Sequence, residues 1–189
     1  MSAARQASWC TSTSRRLARS PQAAAGESTD GAAPPPSASA DRWATRMHVA
    51  IDDYSRVAYV EAHDDETAAT LVKFWHRAQV WFWSNDMPVD GVLTDNGPNF
   101  VSDAFAEVLA ERRIVHRRTR PCRPQTNGKA ERFNRTLADE FLYAKRFRSE
   151  SERRIRLRRW IHDYNCHRHH TAVGGPPASR PYNLTRTDI

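Results

Sequence analysis

Hydrophobic and polar positions follow a regular pattern over the last three-quarters of the chain. Residues 47–51 and 57–63 are rich in apolar and β-branched side chains, and the polar run 52–56 separates them. This arrangement predicts two strands joined as an antiparallel hairpin. After Asp64, apolar residues recur at helical spacing as far as Phe82, which predicts a helix with one buried face.

The rest of the chain alternates short strands with helices. The pattern predicts, in chain order, a strand at 91–94, a helix starting at Ser102, a strand at 114–118, a loop at 121–126, and helices at 128–143 and 149–167. Strands followed by strand–helix alternation are typical of a sheet that mixes parallel and antiparallel neighbours. We therefore expect an α/β fold in which helices flank a mixed sheet.

The first 46 residues lack any apolar periodicity. Of the 21 residues from Ser20 to Ala40, 17 are Ala, Pro, Ser or Gly, and three consecutive prolines begin at Pro34. Proline lacks a backbone donor and disfavours both helix and strand. We therefore expect residues 1–46 to be a disordered tail and the folded domain to span residues 47–189.

Composition narrows the class of protein. The chain has 189 residues, with 29 Lys and Arg against 22 Asp and Glu and a formal net charge of +7, so a polyanion is the expected partner. No apolar run approaches the roughly 20 residues of a membrane span, which argues against a membrane protein. The three cysteines lie far apart, which argues against a disulfide framework and suits a reducing cytoplasm.

Two carboxylates stand in distinctive surroundings. Asp95 follows the strand at 91–94 within Thr-Asp-Asn-Gly, at the edge where open α/β sheets bind their ligands. Glu131 lies in the first turn of the helix at 128–143. Each has an ordinary structural explanation, because Asp-Asn-Gly favours an Asx-turn and the helix dipole favours an acid in a first turn. Taken singly, these acids leave both interpretations open.

The two acids belong to a longer pattern of motifs. Thirty-five residues separate Asp95 from Glu131, which lies within Pro-Gln-Thr-Asn-Gly-Lys-Ala-Glu-Arg-Phe-Asn. Ile-Asp-Asp-Tyr-Ser-Arg stands upstream, and Tyr-Asn, an Arg and Gly-Gly stand downstream. From about Met47 to the C-terminus, the chain resembles the catalytic core of insertion-sequence transposases in the retroviral-integrase (rve) branch of the DDE superfamily. One departure is His169, where that family usually has a proline.

The resemblance implies an RNase H-like fold and a metal-dependent polynucleotidyl transfer. In this family three carboxylates hold two Mg²⁺ or Mn²⁺ ions, which are hard cations that prefer anionic oxygen ligands. Asp95 matches the second carboxylate and Glu131 the third. The resemblance also implies DNA partners (transposon ends and target), a homo-oligomer, and a location at the nucleoid in a bacterial cytoplasm without membrane association.

The first carboxylate of the family is missing from its expected place. The acids upstream of the folded domain are Glu27, Asp30 and Asp41, and none of them follows an apolar strand. Asp52 and Asp53 are weak substitutes, because the family has this acidic pair beside the catalytic strand without using it as the first ligand. Their turn position explains them equally well. We therefore expect the sheet to lack an intact first strand.

A shifted reading frame offers an explanation for the missing acid. Allowed codons of residues 9–16, read from the third base of the Trp9 codon, give Val-His-Val-Asp-Val-Lys-Lys, which resembles the family's first catalytic strand. In that frame the aspartate straddles the codons of Ser12 and Thr13. Two later stretches permit family-like sequences in the same frame. We therefore interpret the residues from about Trp9 to about Arg46 as out-of-frame translation.

Basic side chains are concentrated in the segment between the two candidate catalytic acids. No acidic residue occurs between Glu111 and Glu131. Because this segment joins the two candidate catalytic carboxylates, its positive charge would flank the scissile phosphate. A solvated basic face is the alternative, since most charge runs are only that. The predicted DNA-binding residues are Arg117, Arg118, Arg120, Arg123, Asn127, Lys129 and Arg132. The last helix is also basic, and we expect its Trp160 and Tyr164 in the core rather than stacked on bases.

Two functions remain open from the sequence. One is an active polynucleotidyl transferase, and the other is a non-catalytic transposase remnant that binds DNA. The missing carboxylate favours the inactive product, because two anions can bind Mg²⁺ through waters but cannot fix two ions. A zinc site at Cys166 and the histidines after it is a further alternative, although no second Cys/His pair completes it.

Overall fold

The computed structural model of the chain describes residues 8–13, 46–119, 127–144 and 147–179, with only the backbone of the first of these segments. Its five strands are β1 (Ser8–Thr13), β2 (Arg46–Asp52), β3 (Ala58–His63), β4 (Gly91–Thr94) and β5 (Val115–Arg118). They form one sheet in the order β3-β2-β1-β4-β5. The β1–β2 and β2–β3 pairs are antiparallel, and the β1–β4 and β4–β5 pairs are parallel. The predicted mixed sheet is confirmed.

The helices of the described residues are α1 (Ala68–Ser84), α2 (Asp103–Glu111), α3 (Gly128–Leu137) and α4 (Glu150–Cys166). Short 3₁₀ turns occur at Pro98–Val101 and Pro177–Ser179, and α3 continues into a π-helical turn at Ala138–Leu142. The hydroxyls of Thr67, Ser102 and Ser149 accept first-turn N–H groups and so fix where α1, α2 and α4 begin. None of these helices has the length and apolar character needed to cross a membrane.

Each face of the sheet carries its own hydrophobic core. One cluster joins α1 and α2 to the sheet and contains Ala50. The other joins α3 and α4 to the sheet and contains Val49 and Ile51, the two neighbours of Ala50 in β2. Because successive strand residues point to opposite faces, this division follows from the apolar run of β2. We call the second side the α3 face.

The hairpin of β2 and β3 matches its prediction. Ile51 pairs with Ala58, and the Asp52 N–H donates to the Val57 carbonyl oxygen at 2.8 Å to close the turn. Arg56 in this turn has a φ of 69°, in the left-handed region that few residues other than glycine adopt. The polar run between the two strands therefore forms a defined turn and is not a loose loop.

The place of the first strand is filled, contrary to expectation. Ser8–Thr13, which the sequence pattern assigns to a disordered tail, forms β1 at the centre of the sheet. The physical reason is hydrogen bonding, because β2 and β4 would otherwise face each other across a gap with unpaired backbone groups. Trp and Thr also favour extended backbone. Residues 1–7 and 14–45 lie outside the described residues, so their disorder and shifted frame stay predictions.

Candidate active site

Asp95 lies immediately after β4, at the strand end where the sequence predicts a functional carboxylate. The side chain is half-buried, and its Oδ1 accepts the Gly97 N–H at 2.9 Å. A Cβ at Gly97 would stand 3.0 Å from that oxygen, so any larger residue there would require the Asp95 carboxylate to shift by a few tenths of an ångström. The Asx-turn is therefore present. It engages one carboxylate oxygen, and within the described residues Oδ2 forms no hydrogen bond or ion pair.

Glu131 lies in the first turn of α3, with its side chain exposed. The adjacent Ala130 is 0% exposed and Phe133 is 2% exposed, so these two residues hold the helix against the sheet. Because they point inward, Glu131 is held at the outer rim of the same helix. No described residue pairs with its carboxylate. The acid is therefore free to bind a cation.

Strand alternation assigns Asp95 to the side of the sheet that carries Glu131. Leu93 packs in the core beneath α3, whereas Val92 packs beneath α1 and α2. Asp95 follows Leu93 by two residues, so continued alternation assigns Asp95 to the α3 face. Helix α3 itself contacts β1 and β2. We expect the two carboxylates to lie within about 4–8 Å of each other, as a shared metal site requires.

Asp52 and Asp53 have structural partners. Asp52 is 6% exposed, and its Oδ2 accepts the N–H and the hydroxyl of Ser55 at 2.7 and 2.6 Å. Oδ1 of Asp53 lies 2.5 Å from Nζ of Lys129 and 4.0 Å from Nη1 of Arg56. The two acids therefore stabilise the turn between β2 and β3 and its contact with α3.

The strand register separates that turn from Asp95. Asp52 and Val92 both lie opposite Trp9 of β1. Asp95 follows Val92 by three residues, which corresponds to roughly 10 Å along the sheet. Among the described residues, no three His, Cys, Asp or Glu side chains stand close enough together to hold a metal ion. That finding covers the acids above and also Cys166 with its neighbouring histidines.

One backbone position of β1 lies beside Asp95. Thr11 pairs with Thr94 in the parallel register, so residue 12 is level with Asp95. On its other side, residue 12 pairs with Val49, which packs in the core beneath α3. Directly opposite residues share a face of the sheet. Position 12 therefore belongs to the α3 face, positions 11 and 13 belong to the opposite face, and the residue at position 12 is a serine.

His116 joins β5 to β4, the strand that ends just before Asp95. Its Nε2 lies 2.9 Å from the hydroxyl of the fully buried Thr94, and its ring packs edge-on against Phe105. Burial, and secondarily the charge of Arg118, lowers the pKa of His116. A neutral imidazole therefore fixes the residue that precedes Asp95.

The predicted DNA-binding residues differ in their surroundings. The exposed ones are Arg117, Arg118 and Arg132, and they form no ion pair within the described residues. Asn127 is only 4% exposed and its Oδ1 has no hydrogen-bond partner among the described residues, while Lys129 is paired with Asp53. Those outside the described residues are Arg120 and Arg123. The exposed arginines on β5 and α3 are the ones whose charge is available to a polyanion.

Asn165 has a role that the sequence pattern does not predict. From the last turn of α4, its Nδ2 donates to the Ala58 carbonyl oxygen at 2.8 Å, and its Oδ1 accepts the Ala58 N–H at 2.9 Å. Ala58 begins the edge strand β3, so the amide takes the place of a neighbouring strand. Tyr164 beside it packs against Phe133, with ring centroids 4.9 Å apart, which confirms its predicted place in the core.

Three histidines make the fold sensitive to acid. His48 is 2% exposed between the rings of His63 and Phe74, and burial followed by the charge of His63 lowers its pKa. Burial also lowers the pKa of His116 and His170. The unfolded chain takes up these protons near the ordinary pKa of about 6.5, whereas the folded chain resists. Their contribution to stability is therefore complete above that pH and is lost as the pH falls.

We expect the urea midpoint of unfolding to be lower at about pH 5.5 than at about pH 7.5. His48→Leu should reduce this difference, because it removes one group that must stay neutral in the folded state. His162→Gln should leave it unchanged, because His162 is exposed. Equal midpoints for the unmodified chain at the two pH values would contradict the prediction.

Two family profiles match the chain, and both describe an integrase core domain. One matches residues 36–124 and the other residues 112–177. An uncharacterised 39.2 kDa protein of insertion element IS476 from Xanthomonas euvesicatoria is 38% identical over 88 residues, 46% of this chain and 25% of that protein. A Pol-related polyprotein of a mouse intracisternal A-particle is 29% identical over 101 residues, 53% of this chain and 11% of that protein. The chain thus spans a quarter or less of the length of these relatives.

Solved structures with a similar fold include a viral intasome and a viral integrase core domain. The simian T-cell lymphotropic virus intasome matches with a TM-score of 0.65 and 16% identity, over 95% of this chain and 55% of that chain. The HTLV-2 integrase catalytic core domain in complex with magnesium matches with a TM-score of 0.62 and 16% identity, over 91% and 93% of the two chains. At this identity the likeness shows the fold alone, which confirms the RNase H-like architecture. With the two profiles together matching residues 36–177, the chain belongs to the integrase core family.

Proposed function

We propose that the chain is the catalytic core region of an insertion-element transposase that acts on DNA, and that it is inactive as translated. One observation carries the proposal: Asp95 and Glu131, in the family's sequence context, flank the α3 face, where the neighbouring position of β1 holds a serine. The proposed partners are transposon ends, target DNA and further copies of the chain. The proposed location is the bacterial cytoplasm, at the nucleoid.

The acids of the α3 face fit a single divalent cation. Oδ2 of Asp95 and the exposed carboxylate of Glu131 are anionic oxygens of the kind that Mg²⁺ or Mn²⁺ prefers, and waters can complete the shell. In the family's two-ion chemistry, the metals activate the attacking hydroxyl and stabilise the leaving oxygen. The described residues supply no third acid for a second ion. The donor set therefore fits one loosely held ion and not the two-ion arrangement.

The strand register supports the loss of the first carboxylate. The family places that acid on the strand beside Asp95, and position 12 is the position of β1 that lies there. A neutral serine hydroxyl is a poor substitute for a carboxylate as a ligand of a hard cation. In the shifted frame the aspartate straddles the codons of Ser12 and Thr13. The position selected by the register and the position selected by the frame agree to within one residue.

Sequencing the coding DNA through codons 5–50 tests the shifted frame. We expect an aspartate codon in the third-base frame across Ser12 and Thr13, followed by an uninterrupted family-like frame to about Arg46. A DNA sequence without that aspartate codon would overturn the frame interpretation.

An active transferase is the second candidate function, favoured by the presence of β1 at the centre of the sheet. Metal-dependent DNA cleavage by the unmodified chain would establish it.

Binding to DNA should be sensitive to salt and nearly independent of sequence. Removal of Arg117, Arg118 and Arg120 together should flatten the slope of log affinity against log salt by up to about three charges' worth. Lys73→Ala should change the slope little, because Lys73 lies on α1, on the other side of the sheet. Titration of a random-sequence duplex at several salt concentrations measures the slope. An unchanged slope in the triple variant would mean that this basic run is only a solvated face.

A further inference from the structure

The five arginines of helix α4 differ in their ion pairing. Three are neutralised by acids: Arg153 with Glu150 at 2.5 Å, Arg154 with Glu150 and Asp64 at 3.2 Å each, and Arg156 with Glu152 at 2.7 Å. These pairs account for both acids in the first turn of α4. The basic appearance of this helix in the sequence therefore overstates the charge that it can offer to a partner.

The other two arginines, Arg158 and Arg159, are exposed and form no ion pair within the described residues. Ile155 lies one turn earlier on the same side of α4 and is 68% exposed. We call Ile155, Arg158 and Arg159 the α4 stripe. No acid lies within it, and Asp163, one turn beyond Arg159, forms no ion pair with it. Two uncompensated cations thus remain adjacent on one exposed helix surface.

The α4 stripe lies on the same side of the sheet as the candidate active site. The inner side of α4 packs against α3, where the Phe133 ring meets Trp160 and Tyr164 at 6.1 and 4.9 Å. The outer side of α3 carries the exposed Arg132. The two helices therefore form one layer over the α3 face, and the unpaired arginines of both point away from the shared core.

We propose that the α4 stripe is a second contact for the DNA backbone, separate from the carboxylate pair. The proposal rests on the DNA-binding function proposed above. Guanidinium groups match phosphate oxygens in geometry and charge. An exposed arginine that is not already paired with an acid can neutralise a phosphate of the duplex and so release the counterion bound there. An acidic polypeptide is the competing partner. The exposed aliphatic side chain of Ile155 adds no opposing charge beside the two arginines.

A comparison of two double variants tests the proposal. R158A/R159A and R154A/R156A remove the same net charge from the same helix, but only the first pair removes arginines that form no ion pair within the described part of the chain. We expect R158A/R159A to lower the salt slope for a random-sequence duplex by up to about two charges' worth. R154A/R156A should leave the slope nearly unchanged, and R158K/R159K should retain it, because the charge is kept.

The outcomes separate this inference from the function on which it rests. Salt-dependent binding by the unmodified chain with equal slopes in R158A/R159A and R154A/R156A would overturn the α4 stripe alone. No salt-dependent DNA binding by the unmodified chain would overturn the proposed function itself. Polyglutamate binding that is lost in R158A/R159A, together with unchanged DNA binding, would show that the partner is an acidic polypeptide. Unfolding curves of all variants serve as the control that the fold is retained.

Discussion

The 189-residue chain is expected to show no detectable strand transfer with Mg²⁺ or Mn²⁺. A frame-restored variant, with an aspartate between two valines on the first strand, is expected to regain strand transfer. Asp95→Asn in that variant should abolish the activity again. The assay is metal-dependent joining of a labelled transposon end to target DNA, measured for all three proteins at equal concentration.

Ligand count is the reason for this prediction. Three carboxylates bridge and position two ions, whereas Asp95 and Glu131 alone leave one ion with a nearly complete water shell and no fixed neighbour. Because a catalytic carboxylate acts as part of a unit, its loss costs about 10⁴-fold or more in rate. An effect of that size exceeds anything expected from the altered packing of one strand.

A single substitution tests the register separately from the frame. Ser12→Asp places a carboxylate level with Asp95 on the α3 face, so the affinity for Mn²⁺ should rise by tenfold or more, about 1.4 kcal/mol. Ser12→Asn is the uncharged control. Thr11→Asp moves the charge by one residue and therefore to the opposite face of the sheet, where it cannot join the two acids. Equal Mn²⁺ affinity in Ser12→Asp and Thr11→Asp would contradict the register.

Robust joining by the unmodified chain would mean that another acid serves as the first ligand. Asp52→Asn and Asp53→Asn would then be the next variants to test. The structure makes this outcome unexpected, because Ser55 and Lys129 already engage these carboxylates. Moving either acid to the catalytic strand end would shift β2 in register and exchange the residues that β2 presents to the two cores.

Local patterns in the sequence predict much of the fold. The polar run between two apolar strands predicts the β2–β3 hairpin, and the expected helix starts at Ser102 and Ser149 coincide with the N-caps of α2 and α4. The Asx-turn at Asp95 also follows from Asp-Asn-Gly alone. These features depend on residues a few positions apart, and so a linear pattern contains all the information that they need.

Contacts between distant segments are what the pattern misses. β1 lacks an apolar run and precedes a low-complexity stretch, so its strand character depends on the gap that β2 and β4 leave for it. The sequence pattern predicts Lys129 as a DNA-binding cation, yet its ammonium group pairs with Asp53, which is distant in the sequence. Asn165 and Ala58 are 107 residues apart. In each case the partner becomes known only when the topology is known.

Asn165→Ala is expected to destabilise the fold by about 2–5 kcal/mol. The Asn165 amide satisfies both the N–H and the carbonyl of Ala58, and each buried group left unpaired costs about 1–3 kcal/mol. The same contact covers the start of an edge strand, so its loss also exposes an edge to pairing with other chains. The midpoint of urea unfolding and the onset of aggregation on warming measure the two effects.

Hydrogen exchange makes the Asn165 prediction specific to its contact. The Ala58 amide should exchange slowly in the unmodified chain and rapidly in Asn165→Ala. Tyr164→Phe is the matched control, because it keeps the aromatic packing on Phe133 and leaves both Asn165 hydrogen bonds in place. Asn165→Asp should separate the two hydrogen bonds, because its carboxylate can still accept the Ala58 N–H and protect it from exchange but repels the Ala58 carbonyl oxygen and so still lowers stability. Unaltered exchange at Ala58 in Asn165→Ala would show that α4 is held to β3 by its apolar contacts alone. A selective loss of protection there would mean that the Asn165 side-chain amide ties α4 to the β2–β3 hairpin. The turn of that hairpin contacts the start of α3, beside Glu131, through the ion pair of Asp53 and Lys129.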